Sequence, residues 1–194
     1  MNYITGKMIR ELREKKKMTQ SELAEKLFIS NKTISKWETD KGLPDIGILS
    51  DLAMALGISV ADLLLGEYQE NENKSGNMRK LHFYVCPVCG NVITALGRGS
   101  YNCCGIHLPE LEAETEAEED HQISVANDGH EYYVTMEHEM VKNHYISFVA
   151  YVTSDTAEVT KLYAEQEVSV RYRKKGHGFI YAYCNRHGLF RMTV

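Results

Sequence analysis

Apolar residues in the first third of the chain recur at helical intervals, and polar residues placed to start and stop helices separate them. Met8, Ile9 and Leu12 share one face, and Thr19-Gln20-Ser21-Glu22 forms a capping box ahead of Leu23, Ala24 and Leu27. Ser30 is placed to cap the segment holding Ile34 and Trp37, and Gly42-Leu43-Pro44-Asp45 interrupts it before Ile48, Leu49, Leu52, Ala53 and Leu56 resume the period. Gly57 stops that helix, and Ser59 with Asp62 caps a last turn from Leu63 to Leu65. Residues 1–66 therefore read as a five-helix, all-α domain. Residues 67–80 are polar and aperiodic, as in a linker. From residue 121 β-branched and aromatic residues alternate over 123–125, 132–135, 145–152, 168–172, 179–183 and 189–194. Turn signals at Asn127-Asp128-Gly129 and Lys175-Gly176-His177-Gly178 separate some of these runs, predicting a small antiparallel sandwich over 112–194. Between linker and sandwich, residues 81–111 hold four cysteines and little apolar core, and 112–120 form an acidic connector. The fold class is multidomain α+β, without internal repeats.

Composition narrows the functional classes. The 194 residues are 43% hydrophobic and 25% charged, values of a folded soluble protein rather than a disordered one. No run approaches the roughly 18 apolar residues of a membrane span, and the opening MNYITGKMIRELREKKK places charges where a signal peptide needs an apolar core, so a cytoplasmic protein without membrane contact is expected. In a reducing compartment five cysteines, four of them between 86 and 104, read as metal ligands rather than disulfides. The net charge of −5 is concentrated in 67–120, leaving the helical part near neutrality and free to present a local basic face.

The ordered signals Gln20, Ala24, SKWE at 35–38, the LPD step and ALGIS make residues 4–65 resemble the lambda-repressor-like helix-turn-helix domain of the Cro/Xre regulators. A helix with small and polar residues at its start fits the major groove of double-stranded DNA, which makes Asn31, Lys32, Thr33, Ser35 and Lys36 candidates for base contacts. The resemblance further implies phosphate contacts from Gln20 and from the helix starts near Thr19 and Ser30, and a homodimer on two half-sites.

Cys86-Pro87-Val88-Cys89 and Cys103-Cys104, thirteen residues apart, make a four-thiolate set suited to zinc or iron, with free thiols as the alternative. About thirty residues are too few to build a sufficient core, so metal would supply most of the segment's folding energy. An adjacent Cys-Cys pair is unusual for a zinc ribbon. The stretch YVCPVCGNVITALGRGSYNCCGIHLPEL resembles the desulforedoxin-like domain of desulfoferrodoxins, which implies an Fe(Cys)4 centre and favours iron over zinc.

Two segments, HEMVKNHYI from His138 and CNRHG from Cys184, place a thiolate and several imidazoles where they can chelate one metal. Together they resemble the superoxide reductase centre of the same family, an iron with four histidines and an axial cysteine. The resemblance carries over to His138, His144, Cys184 and His187, and by position to His121 as the fourth histidine, with His130 as the substitute and His177 in a turn. It also offers Glu119 as a catalytic residue that would later bind the ferric ion. Two departures matter: Asp120 stands where the family carries a lysine thought to draw in superoxide, and Glu139 where it carries a proline. A negative group beside the open position slows the approach of an anion.

Two functional readings and one structural reading follow. One is a transcriptional regulator whose DNA affinity responds to the redox or metal state of its iron centres. The other is superoxide reduction with an appended DNA-binding domain. A zinc-loaded structural protein is a third.

Overall fold

The computed structural model describes residues 4–66, 68, 70–115 and 119–194, in two compact units, Met1–Gln69 and Glu70–Val194. The first holds helices α1 (Gly6–Lys15), α2 (Gln20–Lys26), α3 (Asn31–Glu38), α4 (Leu49–Leu56) and α5 (Val60–Leu65). Each of the four helices α1, α2, α3 and α5 opens on a hydroxyl cap, from Thr5, Thr19, Ser30 and Ser59. At α2 the cap is reciprocal: Thr19 Oγ1 accepts from the Glu22 amide while Glu22 Oε2 accepts from the Thr19 amide at 2.6 Å. Gly57 closes α4 in the left-handed conformation. Ile9, Leu23, Ile34, Trp37, Leu52, Leu56 and Leu63 form the core of this unit.

One polar network crosses that core. Arg13 of α1 donates from Nε and Nη2 to the two carboxylate oxygens of Glu38, at 2.6 and 2.9 Å, and from Nη1 to the Met18 carbonyl. Gln20 Nε2 donates to Glu38 Oε2 at 2.8 Å, so three helices meet on one carboxylate that is 2% exposed. The Glu38 hydrogen bonds hold the Arg13 guanidinium above its ordinary pKa.

The second unit contains two larger sheets. Strands β6 (Ile123–Asp128), β7 (Glu131–Met136) and β10 (Val168–Arg173) form a three-stranded sheet in the order β10-β7-β6. Strands β8 (Ile146–Val152), β9 (Ala157–Lys161), β11 (Phe179–Cys184), β12 (Gly188–Thr193) and β5 (Ala113–Glu114) form a five-stranded sheet in the order β5-β12-β11-β8-β9. Val134, Val168 and Val170 of the first sheet share a core with Val149, Tyr151, Ile180 and Ala182 of the second.

The opposite face of the five-stranded sheet is also covered. The four-cysteine segment contains the hairpins β1 (His82–Val85) with β2 (Val92–Ala95) and β3 (Tyr101–Cys103) with β4 (Ile106–Leu108). Leu81 and Phe83 pack on Phe148, Ala150, Val152, Tyr181 and Leu189, and Phe83 stacks on Phe148 with ring centres 5.5 Å apart. Every residue of β8 is consequently buried, in place of the alternation expected of a strand with one wet face. The segment's own cluster is small, Tyr84, Cys86 and Leu108. The sheet thus supplies apolar contact that thirty residues cannot supply alone.

Residues 70–80, expected as part of a linker, instead belong to the second unit. Asn73 is buried, its Nδ2 donating to the carbonyls of Asn77 and Leu96, and its Oδ1 accepting from the Asn77 amide. A polar stretch without apolar period can still be fixed when one amide side chain satisfies the backbone around it.

Arg13→Ala leaves Glu38 buried with its charge unpaired and is expected to destabilise the helical unit by about 3–5 kcal/mol. Urea unfolding followed by the fluorescence of Trp37, the sole tryptophan of the chain, reads this directly.

Candidate metal centres and nucleic-acid interface

Five side chains expected as one ligand set come together at one rim of the two larger sheets. The ligand atoms of His121, His138, His144, Cys184 and His187 all lie within 4.8 Å of one another. Strand register accounts for this. Ile123 of β6 faces Met136 of β7, so His121 and His138, each two residues outside that pair, leave the hairpin at the same end. In the other sheet Cys184 faces both Ile146 and Gly188, which brings His144 and His187 to the same rim. The register shift between Tyr183 and Cys184 marks a bulge, a common device for re-aiming a side chain.

Local bonds fix the loops. Val141 and His144 exchange both backbone hydrogen bonds, and Asn185 accepts from the Tyr145 amide through Oδ1 and donates through Nδ2 to Asn143. Asn185 is a positioning residue with no signal in the sequence beyond its place in CNRHG. The His121 ring stacks on Phe190 of β12.

The inward atoms follow from the contacts. His121 Nε2 is 3.3 Å from His138 Nε2 and 2.9 Å from His187 Nδ1, which is 3.2 Å from His144 Nε2 and 3.6 Å from Cys184 Sγ. On the outer side Asp120 Oδ1 lies 2.9 Å from His121 Nδ1, and Glu139 Oε2 lies 3.3 Å from His144 Nδ1. A carboxylate there keeps the proton on Nδ1 and leaves the Nε2 lone pair facing inward. The hydrogen bond with His121 also holds the Asp120 carboxyl below its ordinary range. Burial, and then the neighbouring His144 and His121, push the His138 pKa down and keep that ring neutral.

This donor set fits a metal ion. Protons shared between neighbouring nitrogens cannot satisfy so many lone pairs aimed at one point, whereas one cation can. Metal–nitrogen bonds of about 2.1 Å at right angles would place adjacent nitrogens about 3.0 Å apart, close to the spacings found. His130, the substitute considered for His121, is exposed in the β6–β7 turn, and His177 is exposed in the loop before β11. Glu119 opens the 3-10 turn Glu119–His121, and its side chain lies outside the described residues.

The four cysteines form a second group, also within 4.8 Å of one another. Cys86 and Cys89 flank a tight turn in which the Gly90 amide donates to the Cys86 carbonyl. Consecutive side chains of a strand point to opposite faces. Cys104 leaves β3 in the left-handed conformation, φ 52°, and its sulfur comes within 3.9 Å of Cys103 Sγ. That turn explains how an adjacent pair can serve one site. Amides of Cys89 and Val88 lower the Cys86 thiol to about 7, whereas hydrogen bonding with Cys89 and the other thiols pushes Cys104 up to about 12. Four sulfurs this close cannot all ionise unless a cation offsets their charge.

In the helical unit Asn31, Lys32 and Lys36 are exposed along α3, while Ile34 and Trp37 are buried. Thr33 and Ser35 are half-buried; Thr33 is engaged by Ser30, whose Oγ accepts from its amide and lies 2.9 Å from its hydroxyl. Gln20, expected on phosphate, is hydrogen-bonded to Glu38.

Taken together, the chain carries a helical unit whose α3 exposes Asn31, Lys32 and Lys36, and a β-rich unit bearing a His/Cys metal-ligand group. Residues 9–63 match the family model for the helix-turn-helix, and residues 102–193 match the family model for desulfoferrodoxin. The two matches support, segment by segment, the resemblance to a Cro/Xre-type helix-turn-helix followed by a desulfoferrodoxin, superoxide reductase-like region. Among relatives, it is 37% identical over 81 residues to the HTH-type transcriptional activator BcrR of Enterococcus faecalis, a match covering 40% of this chain and 39% of that protein. It is 28% identical over 121 residues to a desulfoferrodoxin of Clostridium acetobutylicum, covering 59% of this chain and 97% of the relative. The crystal structure of the superoxide reductase from Treponema pallidum shares the fold, with 21% identity, a TM-score of 0.53, and coverage of 59% of this chain and 98% of that one.

The two ligand groups share no residue, so wild-type protein is expected to bind two metal equivalents per chain. Cys86→Ser and Cys184→Ser should each lose one equivalent and retain the other, as read by elemental analysis after gel filtration.

Proposed function

We propose that this protein is a sequence-specific, DNA-binding transcriptional regulator whose affinity for its operator follows the redox state of bound iron. The observation that carries the reading is one chain holding both a helix with exposed Asn31, Lys32 and Lys36 and a group of four imidazoles and a thiolate converging on a point. In this reading residues 1–66 form the DNA-binding domain, 67–80 lead out of it with 70–80 packed into the second unit, 81–111 are a desulforedoxin-like iron domain, and 112–194 an Ig-like sandwich of the superoxide reductase type. His121, His138, His144, Cys184 and His187 hold one iron, and Cys86, Cys89, Cys103 and Cys104 hold another. Iron bound by these donors would supply a one-electron couple.

Asn31, Lys32, Thr33, Ser35 and Lys36 would meet the major groove, with Ser30 and Gln20 near phosphate, in a homodimer whose half-sites lie about 34 Å apart. Gln20 reaches phosphate only by giving up or sharing its bond to Glu38. A change in iron charge would bias the arrangement of the dimer, a coupling on the order of 1–3 kcal/mol. The same donors support a second reading, superoxide reduction, in which superoxide takes one electron and two protons to give hydrogen peroxide. Exposed Asp120 beside His121 counts against it, since it repels an anion from the centre.

The test uses an operator selected from random duplex DNA. Affinity of the apo, ferrous and ferric proteins is expected to differ by about 5–150-fold between at least two states; identical affinities in gel-shift titration would exclude sensing. Lys36→Ala, at a base-reading position of the recognition helix, should weaken operator binding by about 1–3 kcal/mol and relax sequence preference at one base pair, as read by competition with operator variants.

A further inference from the structure

The His/Cys group is not evenly supported from outside. Ring centres of His121 and His144 are 6.2 Å apart, whereas those of the neighbouring pairs 121–138, 121–187, 138–144 and 144–187 are 4.5–4.9 Å apart. His121 and His144 therefore occupy opposite corners of the set. These are the two rings whose outer nitrogens meet a carboxylate, Asp120 at 2.9 Å and Glu139 at 3.3 Å. His138, on the other diagonal, has a buried Nδ1 to which no described residue offers a hydrogen-bond partner. The carboxylates come from different elements, the turn before β6 and the loop after β7. Their side chains are 61% and 67% exposed, so burial does not hold them in place.

We propose that Asp120 and Glu139 are positioning residues of the metal centre that strengthen one diagonal of its imidazole donors and favour the more highly charged state of the bound ion. The redox half of this proposal rests on the iron reading above; the positioning half does not. A carboxylate accepting an imidazole N–H fixes the tautomer, orients the ring and raises its basicity as a ligand. Two negative charges in the outer layer also interact more favourably with a 3+ than with a 2+ cation, an effect that solvent reduces but does not remove at exposed positions. The ferric state gains more than the ferrous state on both counts, so these residues lower the midpoint potential.

The experiment uses the full chain and the near-isosteric variants Asp120→Asn and Glu139→Gln, singly and together. Neither residue belongs to the ligand group, and both are exposed, so far-UV circular dichroism should be unchanged. Cobalt(II) affinity, measured by chelator competition, is expected to fall about 10–100-fold in the variants. In iron-loaded protein the potential is followed at the couple that Cys184→Ser removes. Ferric binding should weaken more than ferrous, raising the potential by about 59 mV for each tenfold difference between the two. A structural role alone would weaken both states equally and leave the potential fixed, which would overturn the redox claim; unchanged cobalt affinity would overturn the whole proposal. If wild type binds cobalt but shows no iron couple, the iron reading and the redox claim fall together, and the cobalt series alone decides the positioning claim.

Discussion

Strand register is the constraint on which the metal site depends. Five donors from three segments of the chain reach one point because Ile123 pairs with Met136 and Cys184 pairs with both Ile146 and Gly188, so each ligand lies at or within two residues of a paired strand end. A one-residue slip in either pairing would turn every side chain of a strand to the opposite face. The buried faces oppose such a slip: Val134 with Val170, and Val149 with Ile180, would have to exchange the core for solvent or for the other packed layer. The hydrophobic core thus does chemical work without touching the metal, since it fixes where the imidazoles are presented.

The five-stranded sheet is packed on both faces, and this ties the two ligand groups into one unit. Phe148 faces Leu81 and Phe83 of the four-cysteine segment, while Val149, the next residue, faces the core shared with the three-stranded sheet. Leu189, beside the His187 turn, belongs to the first of these layers and Phe190, on which His121 stacks, to the second. The two ligand groups are therefore linked by continuous packed side chains on the two faces of one sheet.

The helical half was legible almost residue by residue, because caps and stops act within a few positions of where they are written. Thr19 with Glu22, Ser30, Gly57 and Ser59 act at the positions their chemistry suggests. The β half was legible in its longer strands only. Strand β9, AEVTK, escaped because an edge strand carries charges such as Glu158 and Lys161 in place of an alternating pattern. The short hairpins of the cysteine segment escaped because cysteines and turns occupy positions that would otherwise show periodicity. At the metal site the spacing motifs pointed to the histidines and Cys184, but no local rule could show Asp120 and Glu139 turned onto Nδ1 atoms or Asn185 bridging two loops.

The same two positions bear on what kind of centre this is. Where the family resemblance leads one to expect a lysine and a proline, this chain has Asp120 and Glu139. A lysine beside an open coordination position attracts an anionic substrate, and a proline there has no side-chain acceptor to offer an imidazole. Asp120 does the reverse on both counts: it repels an anion and accepts from His121. Glu139 supplies the matching acceptor to His144. On the reading proposed above for Asp120 and Glu139, the two substitutions would exchange a substrate-gathering role for a state-holding one. On that reading, a centre biased toward its oxidised state suits the proposed regulator better than the alternative of superoxide turnover.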